Sequence, residues 1–255
     1  MRRAALALVG SAVAAAVLLV GSPAPATDAR AALDAFLRRI AHLEVRDLTI
    51  HQHVTIYHPD GLHPGARGEQ RLLIKPPGRQ RLEQVIDGER EVRLLVNGRV
   101  WVRRRGGQAY EAPPTEHERE GMGLLVPARR SVDELLEEWR GLGIRTDVSH
   151  VERLGGRTVT VIGAAAGDRD APSAWVDPDL GVVRFVTRER LPGRTALVDR
   201  AFSDHRPLAG GFRFPWRQET FVDGKLLLLV TVHVATANSG LADAMFDPEA
   251  FRRER

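Results

Sequence analysis

The chain has 255 residues, with 37 Lys and Arg against 33 Asp and Glu, a net charge of +4, and no cysteine. Without cysteine it has no disulfide, no thiolate metal centre and no lipid-modified N-terminal cysteine. The basic residues are spread along the chain rather than clustered, which argues against a nucleic-acid partner.

Arg2 and Arg3 precede residues 4–20, which are all Ala, Val and Leu except Gly10 and Ser11, and Ala24-Pro25-Ala26 follows. A charged start, an apolar stretch and a small-residue cleavage site read as a signal peptide over residues 1–26. The competing reading is a retained anchor, since the run is about long enough to span a bilayer. The cleavage site favours removal. The surroundings of Arg2-Arg3 favour the general export route over the twin-arginine one. The expectation is a periplasmic protein whose residues 27–255 form one domain.

Thr27-Asp28 can cap a first helix, in which Ala29, Leu33, Phe36, Leu37, Ile40 and Leu43 recur at helical spacing. The period then becomes two. Leu48, Ile50, Val54 and Ile56 share one strand face, and Thr49, His51, His53 and Tyr57 the other. Residues 59–68 read as a loop. Strands over 69–75, 79–86, 89–96 and 99–104 form a meander with turns at Pro76-Pro77-Gly78, Asp87-Gly88 and Asn97-Gly98. Apolar matching selects a bulged register that sets Leu82 by Val92, Leu94 by Val100 and Val92 by Val102, at the cost of Glu83 opposite Glu91 and Arg81 opposite Arg93.

A short strand around Tyr110 follows. Residues 113–130 read as irregular or weakly helical, with Met122, Leu124, Leu125 and Val126 as the apolar part of a lid over residues 121–130. Ser131 and Glu134 make a capping box for a helix that buries Val132, Leu135, Leu136 and Trp139. Strands over 144–151, 157–162, 174–177, 181–189 and 195–205 lead to a last long hairpin. Its second strand carries Leu226, Leu228, Val230, Val232 and Val234 on one face. A three-residue loop ending at Gly224 sets Trp216 opposite Val230 and Phe214 opposite Val232. Residues 241–251 suit one short helix.

The expected fold class is α+β, mainly antiparallel: a strongly curved half-barrel of eleven or twelve strands, with helices on its concave side. The apolar faces supply a candidate cavity lined by Leu48, Ile50, Val54, Ile56, Leu82, Val92, Leu94, Val100, Val102, Phe214, Trp216, Leu228, Val230 and Val232. Their role there is dispersion and water exclusion. An aliphatic strand face is more often plain core, but a sheet this long has more concave surface than two helices cover.

Three segments together resemble the LolA-like superfamily of exported lipid carriers, which includes LolA, LppX, LprG and RseB. They are residues 68–83 with their glycine–strand–Lys-Pro–strand pattern, the hairpin Asn97-Gly98 to Trp101, and the landmarks from Trp175 and Asp177 through Phe214-Pro215, Asp223-Gly224-Lys225 and Asn238 to Phe246-Asp247-Pro248. The resemblance implies a half-barrel with a cavity for acyl chains, a periplasmic shuttle of lipid or lipoprotein, and an inner-membrane exporter and an outer-membrane acceptor as partners of a monomer. It also admits an RseB-like sensor of lipid or misfolded protein. One departure is that Pro76 stands where LolA has the arginine that latches its lid, with Lys75 one place earlier. A LolA-type latch is therefore not expected.

Other chemistry has thin support. His51 and His53 on one strand face, with His58 and His63 nearby, are the best metal candidates, yet no cysteine or adjacent carboxylate completes a set. Ser203-Asp204-His205 holds triad letters without a nucleophile elbow. Asp168, Asp170, Asp177 and Asp179 lack the spacing of a calcium loop. No phosphate loop or dinucleotide motif is present. No cofactor, metal or catalytic residue is expected.

Overall fold

The computed structural model describes residues 29–114, 131–191, 193–208, 211 and 213–254. The predicted signal peptide, the predicted lid residues Met122, Leu124, Leu125 and Val126, and Phe212 lie outside the described residues. Thirteen strands form one antiparallel sheet. They are β1 Leu48–Tyr57, β2 Pro64–Lys75, β3 Arg79–Ile86, β4 Glu89–Val96, β5 Arg99–Arg104, β6 Tyr110–Ala112, β7 Ser149–Leu154, β8 Arg157–Ile162, β9 Ser173–Asp177, β10 Gly181–Leu191, β11 Arg194–Pro207, β12 Arg213–Val222 and β13 Lys225–Ala237. The helices are α1 Ala29–Ile40, α2 Val132–Gly141 and α3 Pro248–Arg253, with a 3-10 turn at Asp243–Phe246.

The strand order is β6-β5-β4-β3-β2-β1-β13-β12-β11-β10-β9-β8-β7. Two meanders therefore meet where β1 pairs with β13, and the sheet is a curved half-barrel that stays open at β6 and β7. That central joint is the one strand pairing distant in sequence, and it has its own clasp. The Asn238 side chain accepts from Arg46 N at 2.7 Å and donates to Glu44 O at 2.8 Å. The buried Asp47 carboxylate accepts from Ser239 N and Oγ, Gly240 N and Leu241 N at 2.7–3.2 Å. Burial pushes the Asp47 carboxyl up, but these hydrogen bonds outweigh it and hold it below its ordinary range. The Asn238 landmark thus ties the segment before β1 to the segment after β13.

α1 and α2 pack on the inner face. Ala29, Leu33, Leu136 and Trp139 share a core with Ile162, Ala174, Val176, Val182, Phe185 and Phe202. The capping box forms as predicted: Glu134 N donates to Ser131 Oγ at 3.2 Å, and Ser131 N to the Glu134 carboxylate at 2.7 Å. Gly181 makes the close seat of α1 possible. It sits at φ +83, and a Cβ there would lie 2.6 Å from the Phe36 ring.

Several local expectations are corrected. β2 begins at Pro64, within the stretch read as a loop, because Arg67 and Ala66 pair with Thr55 and Ile56. Residues 144–148 are not strand: Ile144 is buried against Trp139 just after α2, and β7 starts at Ser149. The tail is a 3-10 turn plus α3 rather than one helix, and it lies on the outer face.

The registers also differ. Ile86 pairs with Glu89, Val96 with Arg99 and Val222 with Lys225, so all three turns are two-residue loops. Asp87, Asn97 and Asp223 take φ near +50, with the following glycines at +77 to +82. Positive φ at both positions gives the turn whose twist matches the flanking strands. This register replaces the like-charge pairs with Leu82 opposite Arg93 and Arg81 opposite Leu94. In the last hairpin a bulge around Leu227 then brings Gln218 opposite Val230, where Trp216 was expected.

Candidate functional site

Strand register assigns each candidate cavity residue to a face, because directly opposed residues of an antiparallel pair share one. Leu48, Ile50, Val54 and Ile56 of β1 stand opposite Ala237, Ala235, Val230 and Leu228 of β13. On the other side Leu48 and Ile50 meet Ile74 and Leu72, and Leu72 meets Leu82. Phe214, Trp216 and Val232 pack with Leu48 and Ile50 in one cluster. Val100 and Val102 fall on this face through Leu95 and Arg93. Twelve of the fourteen residues therefore share the inner face. Leu48, Ile50, Val54, Val100, Val102, Phe214, Val230 and Val232 are buried, while Ile56, Leu82, Trp216 and Leu228 are half-buried.

Val92 and Leu94 do not join them. The two-residue turns rotate both to the outer face, where they pack with Leu73, Trp101, Phe246 and Phe251 under the C-terminal segment. The bulged register had assumed one apolar face per strand, and the tail makes the outer face of β4 apolar as well.

The tail is held by charge. Glu254 takes a paired contact from Arg81 at 2.8 and 2.9 Å and another from Arg103 at 2.7 Å. The two guanidiniums also lie over the Phe251 ring, 5.6 and 4.8 Å from its centroid. The Arg81 hydrogen bonds, helped by Arg103 against burial, hold the Glu254 carboxyl at about 2. Lys75 donates to Leu241 O at 2.8 Å, and Lys75 and Arg79 both pair with Asp243, at 2.6 and 2.7 Å. Lys75 thus secures the C-terminal segment.

The inner face also carries polar groups that periodicity did not single out. Gln52, Gln70, Gln84 and Glu91 are register partners across β1 to β4 and are joined by side-chain hydrogen bonds. On β10 and β11, Glu189, Arg200 and Thr187 form a second set: Glu189 accepts from Arg200 and Thr187, each at 2.7 Å. The signal was present as polar residues on otherwise apolar strand faces, but one strand at a time it reads as noise.

Among the described residues the alternative chemistries find no assembled site. His51, His53 and His233 lie on the outer face around a groove of about 390 Å³. The rings of His53 and His233 meet edge-on at 3.9 Å. Among the described residues no three His, Asp or Glu side chains are placed to hold a metal ion. Asp204 is taken by Arg206 at 2.6 and 3.2 Å, and among the described residues no hydrogen bond links Ser203, Asp204 and His205. Burial pushes the His205 imidazole below its ordinary range. Asp168 accepts from the backbone of Asp170 and Ala171, and Asp177 from Asp179 and Leu180, so both shape turns. Arg157 pairs with both Asp177 and Asp179.

No protein-family model and no curated protein sequence matches the chain. Solved structures do match in fold. A domain described as outer membrane lipoprotein-sorting, from Vibrio parahaemolyticus, superposes with a TM-score of 0.59 at 10% identity, covering 88% of this chain and 100% of that one. A DUF1329 family protein from Desulfovibrio piger gives 0.56 at 13% identity, covering 88% and 99%. A LolA superfamily protein from Nitrosomonas europaea gives 0.53 at 11% identity, with the same coverage. The chain has the half-barrel fold of LolA-superfamily structures, as the sequence motifs implied.

Proposed function

We propose that this protein is a non-enzymatic carrier, which holds the acyl chains of a lipid or lipoprotein against the inner face of its half-barrel. The observation that carries the reading is the convergence of twelve apolar residues from β1, β3, β5, β12 and β13 on one concave surface. The fold shared with lipoprotein-sorting and LolA-superfamily structures supports it.

The energetics explain why such a surface is needed. Moving a sixteen-carbon chain out of water is worth about 12 kcal/mol, at about 0.8 per methylene. A free chain therefore does not cross an aqueous compartment at a useful rate, and a soluble carrier must offer a comparably dry face. In this reading residues 1–26 direct export and are removed. The remainder works in the periplasm as a monomer, receiving cargo from an inner-membrane exporter and passing it to an outer-membrane acceptor. No bond is made or broken.

Mass spectrometry of the protein purified gently from a periplasm, native and then after organic extraction, tests this. A stoichiometric lipid or lipoprotein supports the carrier and names its cargo. An empty protein that also refuses a fluorescent fatty acid rejects it. Val230→Asp is expected to lower the load in protein that remains folded, and an unchanged load would remove β13 from the binding surface.

A further inference from the structure

The inner face is crossed by a continuous polar row. Gln52, Gln70, Gln84, Glu91 and Arg104 stand opposite one another across five adjacent strands, β1 to β5. Gln52 Nε2 donates to Gln70 Oε1 at 2.8 Å, Gln70 Nε2 to Gln84 Oε1 at 2.8 Å, and Gln84 Nε2 to Glu91 Oε1 at 3.2 Å. Arg104 Nε closes the row on Glu91 Oε2 at 3.0 Å, and Arg93 lies 3.5 Å from Oε1 of the same carboxylate. At about 4.8 Å per strand the row spans about 19 Å. Apolar residues flank it on this face: Ile50, Leu72, Leu82 and Val102 on one side, Val54 and Ile86 on the other.

All three amides donate in the same direction, toward the one carboxylate. Each primary amide has two N–H donors, and the row uses one. Among the described residues no second acceptor is bonded to any of the three. Gln70 and Gln84 are half-buried, so their remaining donors are within reach of a molecule lying on this face. A bare alkyl chain there would strip water from those donors and return nothing, which is the costly case for a polar group. A chain that carries a carbonyl oxygen returns the hydrogen bond.

Resting on the carrier reading above, we infer that the cargo is an acyl-ester or acyl-amide lipid whose carbonyl oxygens accept from Gln70 and Gln84, while its chains lie on the flanking apolar residues. The row is then the specificity element of the inner face. It selects carbonyl-bearing lipids over plain hydrocarbon and sets how deep the acyl chains sit. Glu91, fixed by Arg93 and Arg104, anchors its polarity.

The test compares two probes on the full chain: a fluorescent diacyl phosphatidylglycerol, which carries ester carbonyls, and diphenylhexatriene, an apolar fluorophore with none. The wild type is expected to bind both. Gln70→Leu with Gln84→Leu is expected to keep diphenylhexatriene affinity within about twofold and to lose about tenfold for the diacyl lipid, the size of two modest hydrogen bonds. Equal retention of both probes overturns the ladder's role and leaves the carrier reading standing. A wild type that takes up neither probe overturns both. If the double variant does not fold, Gln84→Met alone carries the test, with about a threefold selective loss expected; a parallel loss of both probes would count against the inference.

Discussion

At the β8–β10 end of the sheet, α1 and α2 lie on the inner face, and Trp139, Leu33 and Phe185 fill the concavity. There the outer face is closed locally, with the guanidiniums of Arg169 and Arg184 over the Trp175 ring, 5.0 and 4.8 Å from its centroid. At the β2–β5 end the arrangement is reversed. The cover lies outside, where Phe246 and Phe251 seal Leu73, Val92, Leu94 and Trp101, while the inner face carries the amide row. One half of the sheet spends its concave face on core. The other has apolar packing on both faces: Leu72, Ile74 and Leu82 pack on the inner side with Leu48, Phe214 and Val232, and the tail covers the outer side. The difference is that the polar row interrupts the inner face at the end whose strands are also packed from behind, while the helices fill the inner face at the other end.

This comparison can be broken at several points. Phe251→Ala should have the largest effect, about 3–5 kcal/mol in denaturant unfolding, since it empties the packed outer core. Hydrogen exchange should then quicken in β3–β5 and not in β8–β10; a uniform change would mean the two ends are one cooperative unit with no division of labour. Asp47→Ala should cost about 1–3 kcal/mol by orphaning backbone donors at the β1–β13 joint. The expected signature is faster exchange at Ser239, Gly240 and Leu241.

Glu254→Gln should cost less, about 1–2 kcal/mol, because the carboxylate is partly exposed and solvent screens it. Its pH dependence is specific. The carboxyl is lowered from an ordinary 4.5 to about 2, so its contribution is complete above 4.5 and is lost as pH falls toward 2. Wild type and variant should therefore differ at pH 7 and converge near pH 2 in thermal melts. A constant gap would assign the effect to packing alone. His51→Ala should change stability by no more than about 0.5 kcal/mol, as expected of an exposed outer-face residue. A larger loss, or one relieved by added metal, would reopen the outer face as a site.

Within this frame the sequence was informative wherever the signal was local. Alternation in Leu48, Ile50, Val54 and Ile56, the Ser131 cap with Glu134, and the positions of the Asp-Gly and Asn-Gly turns were all readable because each depends on a few neighbouring residues. Twelve of the fourteen cavity candidates fall on one face for the same reason. The register of β3 to β5 was not readable by apolar matching. That rule supposes that a strand buries a single face, and β4 presents Val92 and Leu94 outward and Leu95 inward.

What the sequence alone determined, then, is the position of most strands and of the first two helices, the turn positions and a family-like order of landmarks. Tertiary structure decided the pairing of β1 with β13, the docking of Phe251 and Glu254 behind β3–β5, and the alignment of Gln52, Gln70, Gln84 and Glu91 into a single row. The physical reason is distance along the chain. Arg81 and Glu254 are 173 residues apart, and no window of sequence reports a contact whose partners meet only after the sheet has curled.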